Sequence, residues 1–218
     1  MKRVKNAYQE KEQLVKSYFK SKGISFSGYH LFIRAFKLDQ KLEVWVKETG
    51  TEKYQLLHTY DICASSGTVG PKRKEGDLQV PEGVYHINHF NPQSNFHLSL
   101  GINYPNSSDK ILSDKNAPGS AIYIHGNCVT IGCIPITDDK IKELYILAVE
   151  ARNNGQTKIP IHIFPTRLDD AGLRHLKNEF GTKHIPFWEN LQIVYKAFEE
   201  TKVPGSITVQ TTGTYALN

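Results

Sequence analysis

The sequence predicts an α+β fold, mainly β with flanking helices, and three observations carry that reading. Apolar residues alternate with a period of two from Tyr29 into the mid-forties, the pattern of paired strands. Helical spacing holds before that stretch and returns after Thr137. The chain has 218 residues, 39% hydrophobic and 22% charged, enough for one generous domain with a full core.

The elements follow in order. Val4, Ala7, Tyr8, Val15, Tyr18 and Phe19 recur at helical spacing over residues 3–22, and Gly23 supplies a stop. Leu31, Ile33 and Ala35, then Leu42, Val44 and Val46, predict a hairpin that turns at 38–41. Tyr54 to Cys63 is a third strand, with Cys63 reading as a core residue at its end. Residues 64–83 are punctuated by glycine, proline and serine, a long loop of the kind that often carries function. Strands are expected at Val84–Ile87, Phe96–Ile102 and Ala121–His125, with a polar excursion at 103–120. Thr137 caps a helix that has Asp138 and Asp139 in its first turn and Ile141, Leu144, Leu147, Ala148 and Ala151 as its buried stripe. Ile159–Phe164 is a late strand, and short helices near 168–180 and 186–201 follow. The tail from Pro204 reads either as an edge strand or as disordered.

Bulk properties narrow the function. The net charge of +5 is scattered, densest at Lys72-Arg73-Lys74, so nucleic acid is not the expected partner and an anionic wall polymer suits the charge as well. No apolar run reaches the ~18–20 residues of a membrane span. Met1–Lys5 is positive, but no apolar region follows it as in a secretory signal. Three cysteines make no disulfide framework.

The chemistry concentrates in Ile124-His125-Gly126-Asn127-Cys128-Val129-Thr130-Ile131-Gly132-Cys133. His125 ends a strand, a rigid place for a general base, and Gly126 lets the chain turn away while its carbonyl orients the imidazole. Cys133 lies four residues before the helix cap, where the helix N-terminus lowers a thiol pKa. Gly132 removes side-chain bulk, and backbone N–H groups at 131–133 can form an oxyanion hole. A structural thiol is the competing reading, since free cysteine is among the most buried residue types. A zinc site built from the two cysteines, His125 and a remote His162 is disfavoured by the loose Cys-x4-Cys spacing. No metal or organic cofactor is expected.

This segment, running on into Ile136-Thr137-Asp138, resembles the active-site motif of the L,D-transpeptidase (YkuD-like) catalytic domain, and more closely its YafK-like branch. Further matches in order are Arg34-Ala35-Phe36-Lys37, Leu42-Glu43-Val44-Trp45, Gly70–Asp77, Pro81-Glu82-Gly83-Val84-Tyr85, Asn103–Asn106 and Ile161–Pro165. The resemblance implies a β-sandwich catalytic core at 29–166, a helix at 1–28 packed on it, and a helical extension and tail at 167–218. It implies a cysteine transpeptidase of peptidoglycan stem peptides, in the periplasm or cell envelope, with a part in wall construction and cell shape. Cys133 is then the nucleophile, His125 the base, Gly126 the orienting carbonyl and Gly132 part of the oxyanion hole. Lys72, Arg73, Glu75, Tyr85, Tyr104 and Thr130 are the expected substrate contacts. An amidase acting on the same polymer, or on a wall-linked lipoprotein, would share the nucleophile. A non-catalytic wall-binding module with Cys133 buried or bridged to Cys128 is the alternative from another class.

Two departures from the family pattern bear on substrate. The familiar Ser-His-Gly-Cys stands here as Thr130-Ile131-Gly132-Cys133, which leaves His125 as the only close base. The arginine often found two residues after the nucleophile is replaced by Pro135, so a substrate carboxylate needs another partner. The basic loop at 72–74 offers one.

Overall fold

The computed structural model describes residues 2–218. Helix α1 (Lys2–Lys22) is followed by strands β1 (Tyr29–Phe36), β2 (Lys41–Glu48) and β3 (Gln55–Asp61). After the long loop come β4 (Gly83–Asn91), β5 (Ser99–Ile102), the short α2 (Ser107–Leu112), β6 (Tyr123–His125) and β7 (Ile134–Pro135). Helix α3 (Asp138–Asn153), β8 (Ile159–Phe164), α4 (Asp170–Phe180), α5 (Ile185–Thr201) and the β9–β10 pair (Ile207–Val209, Tyr215–Leu217) complete the chain.

Eight strands form one mixed sheet in the order β3-β2-β1-β8-β4-β5-β6-β7. The predicted hairpin is in register, with Arg34 opposite Glu43 and Phe36 opposite Lys41. The expected sandwich is this single sheet curled on itself rather than two separate sheets. Its outer edges meet where the Cys63 N–H donates to the Pro135 carbonyl at 3.0 Å. Closure protects edges that would otherwise present unpaired backbone groups.

Both faces of the sheet's centre are covered. The inner core joins Leu31, Ile33 and Ala35 of β1 to Ile141, Leu144 and Ala148 of α3, with Ala7, Val15 and Phe19 of α1 packed behind. Tyr18 and Tyr8 of α1 donate to Glu143 and Glu150 of α3. Gly23, at φ 67°, ends α1 as expected.

The residues that alternate with the inner stripe of β1 are buried as well, because α5 covers them. Phe32 and Phe36 meet Phe198 and Tyr195 of that helix at ring separations of 4.8 and 6.4 Å. Arg34 lies between these rings. It donates to Glu43 of β2 and to Glu199 of α5, at 2.7 Å each. Burial pushes the Glu43 carboxyl up, but Arg34, Arg167 and the Trp45 indole hold it below the ordinary carboxylate range.

A second buried network ties α5 to the long loop. Trp188 Nε1 donates to Glu82 Oε2 at 2.8 Å, while Glu82 Oε1 accepts from Lys37 Nζ at 2.9 Å and from the Gly70 N–H at 2.7 Å. Every polar atom has a partner, as a buried ion pair requires.

Three features differ from the sequence reading. The polar excursion at 103–120 contains α2, whose capping box pairs Asn106 with Asp109. Strand β7 is only two residues long, too short to carry a periodic signal. The tail is a docked hairpin: the Tyr215 hydroxyl accepts from Asn106 Nδ2 at 3.0 Å and from the Val84 N–H at 3.3 Å.

Candidate active site

β6 and β7 run parallel, with Ile124 opposite Ile134 and His125 opposite Pro135. Ile122, Ile124, Ile134 and Ile136 belong to the inner core. Alternation therefore places Tyr123, His125 and Cys133 on the other face, on adjacent segments. The motif's loop leaves one strand and returns on the next, which brings its two ends together.

His125 is 2% exposed, with the Phe96 ring 4.6 Å away and inclined at 31°. Its Nδ1 is bonded to the Gly126 carbonyl. A carbonyl can only accept, so Nδ1 carries the proton and Nε2 is left as the basic nitrogen. Burial lowers the imidazole pKa, and the Gly126 bond pulls it part of the way back. The ring is thus neutral at pH 7, the state a base needs. Gly126 admits no side chain, because a Cβ there would lie 2.5 Å from Asp138 Oδ1 and 2.9 Å from the Phe96 carbonyl. The same Asp138 oxygen accepts from the Asn127 N–H at 2.8 Å, which anchors the loop to the start of α3.

Cys133 is a free thiol, partly exposed, and its Sγ donates to the Ala121 carbonyl at 3.6 Å. Burial pushes its pKa up, while the Tyr123 N–H and the Lys72 ammonium act in the opposite sense. The resting form is the thiol, so attack on an acyl carbon requires a base. Cys63 and Cys128 are joined in a disulfide. This corrects two expectations: Cys63 is not a core thiol, and Cys128 is not bridged to Cys133. The bridge connects the end of β3 to the loop between His125 and Cys133.

Several expected substrate contacts are engaged elsewhere. Thr130 Oγ1 donates to the Cys133 carbonyl at 2.8 Å and accepts from the Gly132 N–H at 3.1 Å. Thr130 therefore shapes the turn, and the Gly132 N–H would have to leave it to serve an oxyanion. Gly132 itself sits at φ 137°, where a Cβ would press to 3.1 Å from the Gln79 carbonyl. Lys72 is 4% exposed and bonded to Asp77 at 2.6 Å and to the Lys74 carbonyl at 3.0 Å, so it is background charge near the thiol rather than a surface carboxylate ligand.

Tyr85 and Tyr104 do not line a cleft. Both are buried, with their hydroxyls donating to the Glu82 carbonyl at 3.1 Å and the Pro118 carbonyl at 2.7 Å. Glu75 is exposed at the loop tip. Arg73 lines an open cleft of about 600 Å³ beside the loop. Sequence reasoning missed Phe96 and Asp138 as neighbours of the motif: Phe96 reads as strand, and Asp138 as an ordinary first-turn acid. The described residues include no cluster of three or more His, Cys, Asp or Glu able to hold a metal.

Comparison with known proteins agrees with this architecture. Residues 32–163 match the YkuD family, the L,D-transpeptidase catalytic domain. The chain is 36% identical over 185 residues to the putative L,D-transpeptidase YafK of Escherichia coli K12, covering 84% of this chain and 72% of that protein. The YafK of strain O157:H7 gives the same figures. Among solved structures, the helical cell shape determining protein Pgp2 of Campylobacter jejuni superposes with a TM-score of 0.50 at 17% identity, over 85% of this chain and 74% of that one. A variant of Pgp2 gives 0.50 at 20% identity, and there the chain spans only 56% of its counterpart. With a family match over its central strands and a relative matched over most of its length, the chain belongs to the YkuD family of L,D-transpeptidase catalytic domains.

Proposed function

We propose that this chain is a cysteine-dependent L,D-transpeptidase acting on peptidoglycan stem peptides. One observation carries the reading: Cys133, the one free thiol among the described residues, shares a face with a buried neutral imidazole whose Nδ1 is occupied. Cys133 Sγ gives its proton to His125 Nε2 and attacks the carbonyl carbon at the L-centre of a diamino acid followed by D-alanine. The C–N bond to D-alanine breaks as the imidazolium returns the proton to the leaving amine, and the peptide stays on Cys133 as a thioester. An acceptor amine then attacks, gives its proton to Nε2, and releases the product and the thiol. Gly126 keeps the imidazole in the productive tautomer throughout.

The Cys63–Cys128 disulfide supports an oxidising compartment, so the site of action is read as the periplasm or cell envelope. No helix among the described residues is long and apolar enough to cross a membrane.

The test is to incubate the protein with a disaccharide tetrapeptide, with and without an amine acceptor, and to separate the products by chromatography. Release of D-alanine matched by acceptor incorporation is the expected result. Release without incorporation would make the enzyme an amidase, and a wall-linked lipoprotein substrate would then be tried. No release, from protein whose Cys133 is titratable as a thiol, would overturn both.

A further inference from the structure

A cleft of about 600 Å³ lies between residues 68–79 and the start of α5, lined by Arg73, Lys74 and Gln79 on one side and by Lys183 and His184 on the other. A second depression of about 310 Å³ shares Arg73, Leu112 and Lys183 with it and adds Phe187 and Asn190. Lys183, His184, Phe187 and Asn190 lie outside residues 32–163, so one wall belongs to the family domain and the other to the C-terminal extension. Gln79 links the cleft to the nucleophile's loop: it lines the cleft, and its carbonyl is the group that a Cβ on Gly132, next to Cys133, would meet at 3.1 Å.

The charges in this cleft are unequally available. Asp77 is occupied by Lys72 Nζ and by the N–H groups of Arg73, Lys74 and Gln79. Asp114 accepts from the N–H groups of Asn116 and Ala117 within its own loop. The cations are less committed. Among the described residues, Lys74 and Lys183 have no acidic partner within 4.0 Å. Arg73 has its guanidinium carbon 5.0 Å from the centre of the Phe187 ring and uses only Nη1, toward Asp109 at 3.3 Å and the Lys72 carbonyl at 3.5 Å. Its Nε and Nη2 are left for an incoming acceptor, and a guanidinium presents paired donors suited to a carboxylate.

We infer that this cleft is a carboxylate-binding subsite that holds the part of the peptide substrate extending away from Cys133, with Arg73 and Lys183 as its ligands from the two walls. The inference rests on the peptide-substrate reading above and adds to it a role for the C-terminal extension.

The test separates binding from chemistry by using full-length Cys133→Ala protein, which cannot form the thioester. A stem tetrapeptide with free carboxylates and the same peptide with those groups amidated are titrated by calorimetry into this protein and into its Lys183→Glu and Arg73→Gln derivatives. Lys183 is exposed, so Lys183→Glu does not disturb the core. Expected are at least a tenfold loss of affinity on amidation, a similar loss in Lys183→Glu, and little further loss when both changes are combined. Affinity for the free-acid peptide should fall as salt is raised. Equal affinity for the two peptides, unchanged affinity in folded Lys183→Glu, or no binding by the parent would each overturn the subsite. A failure of Cys133 to acylate would overturn the proposed reaction but leave this binding result standing.

Discussion

At the residue scale, the His125 imidazole decides how activity responds to pH. Its pKa lies below the ordinary 6.5 because the ring is buried, and the Cys133 thiol lies above 9.0 for the same reason. The base is competent when deprotonated, so kcat/KM should rise with pH through a value below 6.5 and stay level to about pH 8. A rise centred above pH 7 would mean that another group supplies the base. His125→Ala should lower kcat/KM by roughly 10² to 10⁴, and, because it removes a ring buried against Phe96, it should also lower Tm by several degrees while the protein stays folded at assay temperature. Thr130→Val should lower kcat more than it raises KM, because it releases the turn that carries Cys133 without touching substrate. The placement of His125 and Cys133 at the two ends of one loop between neighbouring strands was legible in the sequence because it is local. The expected roles of Tyr85, Tyr104 and Lys72 failed for the opposite reason. Whether a tyrosine faces a cleft or packs under a loop is set by distant partners such as Pro118 and Glu82.

At the scale of elements, α5 is held by burial and by two charged networks whose partners lie far apart in sequence. Glu82→Ala would strand the Lys37 ammonium among carbonyls and remove the acceptor of Trp188. Breaking a buried pair on one side costs about 3–5 kcal/mol, which should lower Tm by roughly 10 °C as read by calorimetry. A change within about a degree would show that water reaches Lys37 readily. Long periodic elements such as α1, the β1–β2 hairpin and α3 were legible from the sequence. Strand β7 was not, since two residues carry no period, and the β9–β10 hairpin is fixed by Tyr215 docking beneath Asn106 rather than by its own pattern. The second buried face of β1 was hidden for a related reason: Phe32, Arg34 and Phe36 look like an outward stripe until α5 is placed over them.

At the scale of the whole molecule, the curled sheet brings its two edge strands to one place, and the candidate site sits at that seam. The Cys63–Cys128 bridge spans 65 residues there, a pairing that an odd cysteine count could not reveal. Closing a loop of that length contributes roughly 4 kcal/mol on the chain-entropy view. Gentle reduction should therefore lower Tm and loosen the loop that carries Cys133, reducing turnover even with the nucleophile intact. The Cys63→Ser/Cys128→Ser protein should behave as the reduced form does. Turnover and stability unchanged in that double variant would show that the bridge does not organise the site.

The nucleophile is tested most directly by intact-protein mass spectrometry after brief incubation with a tetrapeptide muropeptide and no acceptor, followed by peptide mapping. The expected result is one added acyl group lacking D-alanine, mapped to Cys133, absent from Cys133→Ala and discharged when an amine acceptor is supplied. An adduct on another residue, or none on protein whose Cys133 is demonstrably a free thiol, would contradict the assignment.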